Sequence, residues 1–254
     1  MGASVVWDVM RFELRRSLTP SRAAIWFVLV AFPIALITVL RVTTEIRNVE
    51  RWGLMLYFLV PEVVCLLGLL LWATPVISTE IEGQTWIYLA LRRSGRSLVL
   101  LGKYLTAVLW SASAAVVSIS ICVIVMGPAG GWKVWWIMSA LSILSCFAHA
   151  SLYVLIGTIF FRRTMVAAVF YTMAVEYGLA LVPAVANKLT INYRLRGLLA
   201  DWTQWPGARS VAEDVFGSES TFTHLLALAI ISGLLLAIAV LRLSRAELPT
   251  QQDG

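Results

Sequence analysis

The chain has 254 residues, of which 60% are hydrophobic and only 13% charged, with a mean hydropathy of +0.85. A soluble domain of ordinary make-up carries about 25% charged residues, so this composition excludes one and points to a single membrane domain. The net charge of +6 would suit a nucleic-acid partner, but the basic residues stand just outside apolar runs rather than on one soluble face, so no nucleic acid is expected.

Residues 4–19 come first, with Val6, Met10, Leu14 and Leu18 at helical spacing beside Arg11 and Arg15. This pattern predicts a helix lying on the membrane surface, with Pro20 at the bend into the first span. No cleavable signal peptide is expected, because a stretch of 22 residues rich in charge precedes the first apolar run and no A-x-A site follows it. Six apolar stretches then follow, at 23–40, 54–73, 98–126, 134–161, 165–185 and 222–241. A hydrocarbon core of ~30 Å needs roughly 20 apolar residues in a helix, so these predict an all-α protein with six transmembrane spans. Lipid offers no water to backbone amides, which leaves the helix as the form such runs can take.

The basic residues orient the spans. Arg11, Arg15, Arg16 and Arg22, then Arg92, Arg93, Arg96 and Lys103, then Arg162, Arg163, Arg242 and Arg245, fall on the side that carries both termini. They outnumber the cations on the other side, and the positive-inside rule predicts that both termini are cytoplasmic. The one sizeable outer loop, 186–221, repeats Ile191, Leu195, Leu198, Leu199 and Trp202 at helical spacing, which predicts an amphipathic helix half sunk in the outer interface. Trp132, Trp135, Trp136, Trp202 and Trp205 read as interfacial anchors. Cys65, Cys122 and Cys146 are scattered through apolar spans without a metal-ligand spacing and read as packing residues.

Between the second and third spans, residues 76–97 alternate acidic, small and aromatic side chains and end in a basic cluster. Physical reasoning divides evenly between a short surface helix, with Glu80, Glu82, Thr85 and Arg92 facing a partner, and a solvated loop whose arginines follow the positive-inside rule. The residues Glu80, Glu82, Thr85, Tyr88-Leu89, Arg92 and Leu101-Gly102-Lys103 resemble the motif of the ABC-2 type transporter permeases, the membrane subunits of ATP-binding-cassette exporters with the type V fold. The surface helix ending in Phe12-Glu13-Leu14-Arg15-Arg16 and the six-span layout extend that resemblance over most of the chain, while Arg93 stands where relatives commonly have proline.

The resemblance implies a permease of the bacterial inner membrane, whose segment at Glu80, Glu82, Gly83, Gln84, Thr85 and Arg92 docks on an ABC ATPase subunit. It also implies a second permease copy or a homologous permease. ATP and Mg would bind on the ATPase, with no cofactor in this chain, which has neither a G-x-x-x-x-G-K-[ST] run nor a G-x-G-x-x-G fingerprint. No catalytic residues are expected, since no G-x-S-x-G or H-E-x-x-H pattern occurs. A non-transporting scaffold, or a subunit that transmits ATPase strokes mechanically, is the alternative.

Within the spans, Glu62, Glu176 and His149 stand out, and all three are candidates for lining a pathway. A carboxylate at that depth costs at least ~2.5 kcal/mol on insertion scales and faces protein or water. Each glutamate is otherwise a hydrogen-bonded group that fixes helix packing. His149, lacking partners in the sequence, reads as bonded to a neighbouring helix rather than as a metal ligand.

Overall fold

The structure, a computed structural model, describes residues 2–43, 48–82, 95–127, 131–161, 163–178, 185–206 and 219–245. Every regular element among them is helical. In chain order they are α1 (Gly2–Ser17), α2 (Pro20–Thr43), α3 (Val49–Val76), α4 (Gly95–Met126), α5 (Gly131–Ile159), α6 (Thr164–Tyr177), α7 (Ile191–Thr203) and α8 (Thr221–Arg245). Five of these, α2, α3, α4, α5 and α8, are long and apolar enough to cross a membrane, and the chain is a multi-helix protein of membrane type.

The fifth expected span, 165–185, is only partly matched. α6 is apolar and runs from Thr164 to Tyr177, about 21 Å at ~1.5 Å per residue, short of a full crossing. Residues 179–184 of that stretch lie outside the described residues.

Helix α5 forms the centre: 72% of its most apolar 18-residue window is buried, against 22% for α2 and 17% for α8. It packs against α3, α4, α6, α7 and α8, while large apolar side chains such as Phe27 and Val28 of α2 and Leu234 and Leu241 of α8 point outward. In water such a rim would be an aggregation surface; against lipid it is the expected exterior. Helix contacts are pinned by side-chain hydrogen bonds to backbone or hydroxyl. Ser118 Oγ donates to Val30 O (3.1 Å), Trp26 Nε1 to Ser113 Oγ (3.1 Å), and Tyr104 OH to Phe147 O (3.0 Å). Small polar residues let helices approach and bond where the hydrophobic effect between them is absent.

Two helices widen locally. Phe58–Val64 of α3 and Thr172–Tyr177 of α6 are π-helical. In α3 the cause is Pro61, which has no N–H for the ladder and whose ring crowds the carbonyl four residues back. The Pro61 carbonyl accepts a hydrogen bond from Ser145 Oγ at 2.9 Å. Glu62 lies in the first widened segment and Glu176 in the second.

Helix α1 does more than lie on a surface. It packs along the start of α4, where Gly102 makes room: a Cβ there would stand 2.5 Å from Val9 Cγ1 and 3.3 Å from the Met10 backbone nitrogen. Ser17, at the end of α1, is buried and accepts a hydrogen bond from Trp110 Nε1 of α4 at 2.8 Å. Helix α7 also differs from the expected half-sunken surface helix. It is enclosed on almost every face, packing on α5 and α8, with Ile191, Tyr193, Leu195, Leu198 and Leu199 buried alongside Asn192 and Arg194. Gly197 permits this, because the His224 ring occupies the space its Cβ would need.

Candidate functional site

Two polar centres stand out, one where α3 ends and one around α7. At the first, a turn of 3-10 helix at Thr74–Val76 leads into a short helix, Ser78–Glu82, which carries Glu80 beneath α1 and beside α4. Glu80 is 4% exposed, and its Oε1 is paired with Lys103 Nζ of α4 and with Arg16 Nη1 of α1 at 3.4 Å. The Lys103 ammonium, 8% exposed, also donates to Val76 O at 3.3 Å. Three segments far apart in sequence therefore converge on one carboxylate.

The placement refines the expectation that Glu80 faces a partner: its carboxylate faces the chain's own α1 and α4. The backbone of Glu82 continues the short helix, whereas Gly83, Gln84, Thr85 and Arg92 lie outside the described residues. The Leu-Gly-Lys run at the start of α4 gains a physical meaning here. Gly102 lets α1 come close and Lys103 neutralises the buried carboxylate. The glycine could be read from the sequence as a close approach, but nothing in the sequence names Val9 as the neighbour.

At the other centre, Glu62 and Glu176 both turn toward α7. Glu62, 2% exposed, takes a two-pronged contact from Arg196, with Nε to Oε1 at 2.8 Å and Nη2 to Oε2 at 3.2 Å. Such a fork fixes both position and orientation. Glu176, 1% exposed, accepts the backbone N–H groups of Ile191 (3.3 Å) and Asn192 (2.9 Å), the first two residues of α7. Those amides have no partner within the helix, and a carboxylate at a helix N-terminus also meets the favourable end of its dipole. Thr190 completes the cap by accepting Tyr193 N at 3.3 Å.

Both glutamates therefore have partners within the chain. Arg196 was not among the residues singled out from sequence; it stands 134 positions from Glu62, and no local pattern joins them.

His149 is fully buried in α5, with Nδ1 3.0 Å from Ser145 O and 3.2 Å from Ser145 Oγ, and its ring lies 6.3 Å from that of Tyr153. Among the described residues no cluster of three His, Cys, Asp or Glu side chains is placed to hold a metal. Cys65, Cys122 and Cys146 are buried and unbridged.

Outside α7 a smaller ion cluster ties the flanking segments. Glu219 pairs with Lys188 at 2.8 Å and with Arg194, whose Nε donates to Lys188 O at 2.9 Å. The Lys188 ammonium, with Arg194 beside it, holds the Glu219 carboxyl below the usual carboxylate range. Trp205 lies over Gly53 at the start of α3, while Trp132 and Trp136 are largely exposed, as interfacial tryptophans are. The comparisons with known proteins add no relative: no family model matches this chain, and no curated protein matches it.

Proposed function

We propose that this chain is the permease subunit of an ATP-binding-cassette exporter, moving substrate across the membrane with ATP hydrolysed by a separate ATPase subunit. The observation that carries the reading is the joint on Glu80, where the segment after α3 is held to both α1 and the foot of α4. A push on that segment would be passed to two helices at once rather than absorbed by a loose loop. The E-x-E-x-x-T and Leu-Gly-Lys elements, which resemble the ABC-2 permease motif, flank this joint and support the reading. In this reading the working assembly pairs two permeases, identical or homologous, with two ATPases that bind ATP and Mg.

The proposed topology has six spans in a bacterial inner membrane, with α6 continuing as the fifth. Both termini and the 76–97 segment are cytoplasmic, and 186–221 lies outside. Single cysteines at Gln84 and Ser210, in a background lacking Cys65, Cys122 and Cys146, are expected to react with an impermeant thiol reagent from opposite sides of sealed vesicles. Reaction from the same side overturns the topology.

The functional test is Glu82→Lys. A charge contact with the ATPase becomes repulsive while the apolar helices are untouched, so membrane levels stay normal. Co-purification with an ATPase encoded beside this chain is expected to fall at least about tenfold, the scale of ~1.4 kcal/mol, and ATP-driven transport to fall with it. Glu82→Gln gives a graded intermediate. Wild-type ATPase binding and transport in Glu82→Lys would remove the coupling role.

A further inference from the structure

An open groove of about 380 Å³ runs between the end of α3 and the start of α6. Its walls are apolar, formed by Leu70 and Leu71 on one side and Met165 and Val166 on the other, and its rim is polar, with Ser78 and Arg163. The rim lies at the end of the bundle where most of the cations gather, and Arg163 is exposed, with no acidic partner among the described residues. From the rim an apolar track leads along α6. Val166, Phe170 and Met173, spaced to share one helix face, are 67%, 74% and 64% exposed. The track is about 10 Å long at ~1.5 Å per residue.

We propose that this groove holds an anionic phospholipid of the adjacent leaflet, its phosphate group on Arg163 and an acyl chain along α6. The chemistry is set by the two halves of the site. A bare guanidinium at headgroup depth favours a phosphate, which it can meet with two parallel N–H donors. The start of α6 beside it presents unpaired backbone amides that add to the same preference. Below the rim Thr74 is turned to its own helix, donating to Leu70 O, and the walls are mainly apolar. An occupant must therefore be anionic at one end and hydrocarbon along the other, and the membrane supplies that molecule at the required depth. A soluble anion would leave the apolar walls and track uncovered. The proposal goes beyond the exporter reading and stands without it, since it needs a membrane but no ATPase.

The test is lipid retention by the purified full chain, measured by native mass spectrometry during titration with dioleoylphosphatidylglycerol or dioleoylphosphatidylcholine, which differ in net headgroup charge but not in acyl chains. The anionic lipid is expected to be retained at about fivefold lower concentration, the factor expected from one basic residue near an anionic headgroup. Arg163→Gln should abolish the difference and Arg163→Lys should keep it. Arg245→Gln, which removes an exposed cation at the end of α8, should leave it unchanged. Val166→Trp, filling the groove, should lower retention of both lipids without lowering the melting temperature. A preference that survives Arg163→Gln, or one that falls equally in Arg245→Gln, overturns the site in favour of diffuse surface charge. Unaltered lipid retention in Val166→Trp together with loss of a dimer peak would assign the groove to a second copy of the chain and also overturn it.

Discussion

Glu62→Ala is expected to be among the most damaging single substitutions in this protein, because it leaves the Arg196 guanidinium without its partner in the interior. Breaking a buried ion pair costs about 3–5 kcal/mol, and the lower end applies here, since the Arg196 side chain is 31% exposed. At about 2–4 °C per kcal/mol for a chain of this size, the melting temperature in detergent should fall by roughly 6–12 °C. Arg196→Ala should cost a similar amount by exposing the other half of the pair. The exchange Glu62→Arg with Arg196→Glu should recover part of the loss, which a pair that did not interact could not do. Glu176→Ala removes two charge-assisted bonds to the α7 N-terminus and should cost less, about 1–2 kcal/mol. If Glu62→Ala and Arg196→Ala both melt with the wild type, the clamp on α7 has no energetic weight.

Much of this arrangement was legible in the sequence, and the rest was hidden for definite reasons. Apolar runs of spanning length declare helices because lipid permits little else, and α2, α3, α4, α5 and α8 follow them closely. The two glutamates also declared themselves, since a carboxylate among leucines needs a reason. Their partners could not be read. Arg196 sits in a segment whose alternating charge and apolar residues suit a surface helix, and its inward partner Glu62 lies far away in the sequence. Gly197 looks like a helix weakener until His224 is placed against it. The fifth apolar run keeps its apolar character from Met165 to Val175, yet its helix is π-wound from Thr172, and no local composition announces that change of winding.

Gly102→Ala is expected to loosen α1 from the bundle. The added methyl meets Val9 at 2.5 Å, and the next obstacles, Val9 Cβ and the Met10 nitrogen, belong to or adjoin backbone that cannot swing away. Overpacking of this kind costs about 1–3 kcal/mol, and local opening free energy should fall by a like amount. Tryptic cleavage after Arg11, Arg15 or Arg16 in mildly digested membranes should then accelerate by about tenfold, the factor for ~1.4 kcal/mol, while the amount of inserted protein is unchanged. Val9→Ala in the same chain removes the closest atom and should restore part of the protection. An unchanged cleavage rate in Gly102→Ala would mean that α1 is not seated on α4.

The span between Glu62 and Arg196 also has a consequence for biogenesis. At ~5–20 residues per second of synthesis, the 134 residues that separate them take on the order of 10 s to emerge. During that interval the nascent second span carries a carboxylate whose cation has not yet been made, so its entry into the bilayer must be driven by neighbours such as Leu66, Leu69 and Leu70 alone. Glu176 waits for only 15 residues, and its amide partners arrive almost at once. Helix α7 therefore closes the bundle from behind, as a late step that discharges a cost carried since the second span left the ribosome.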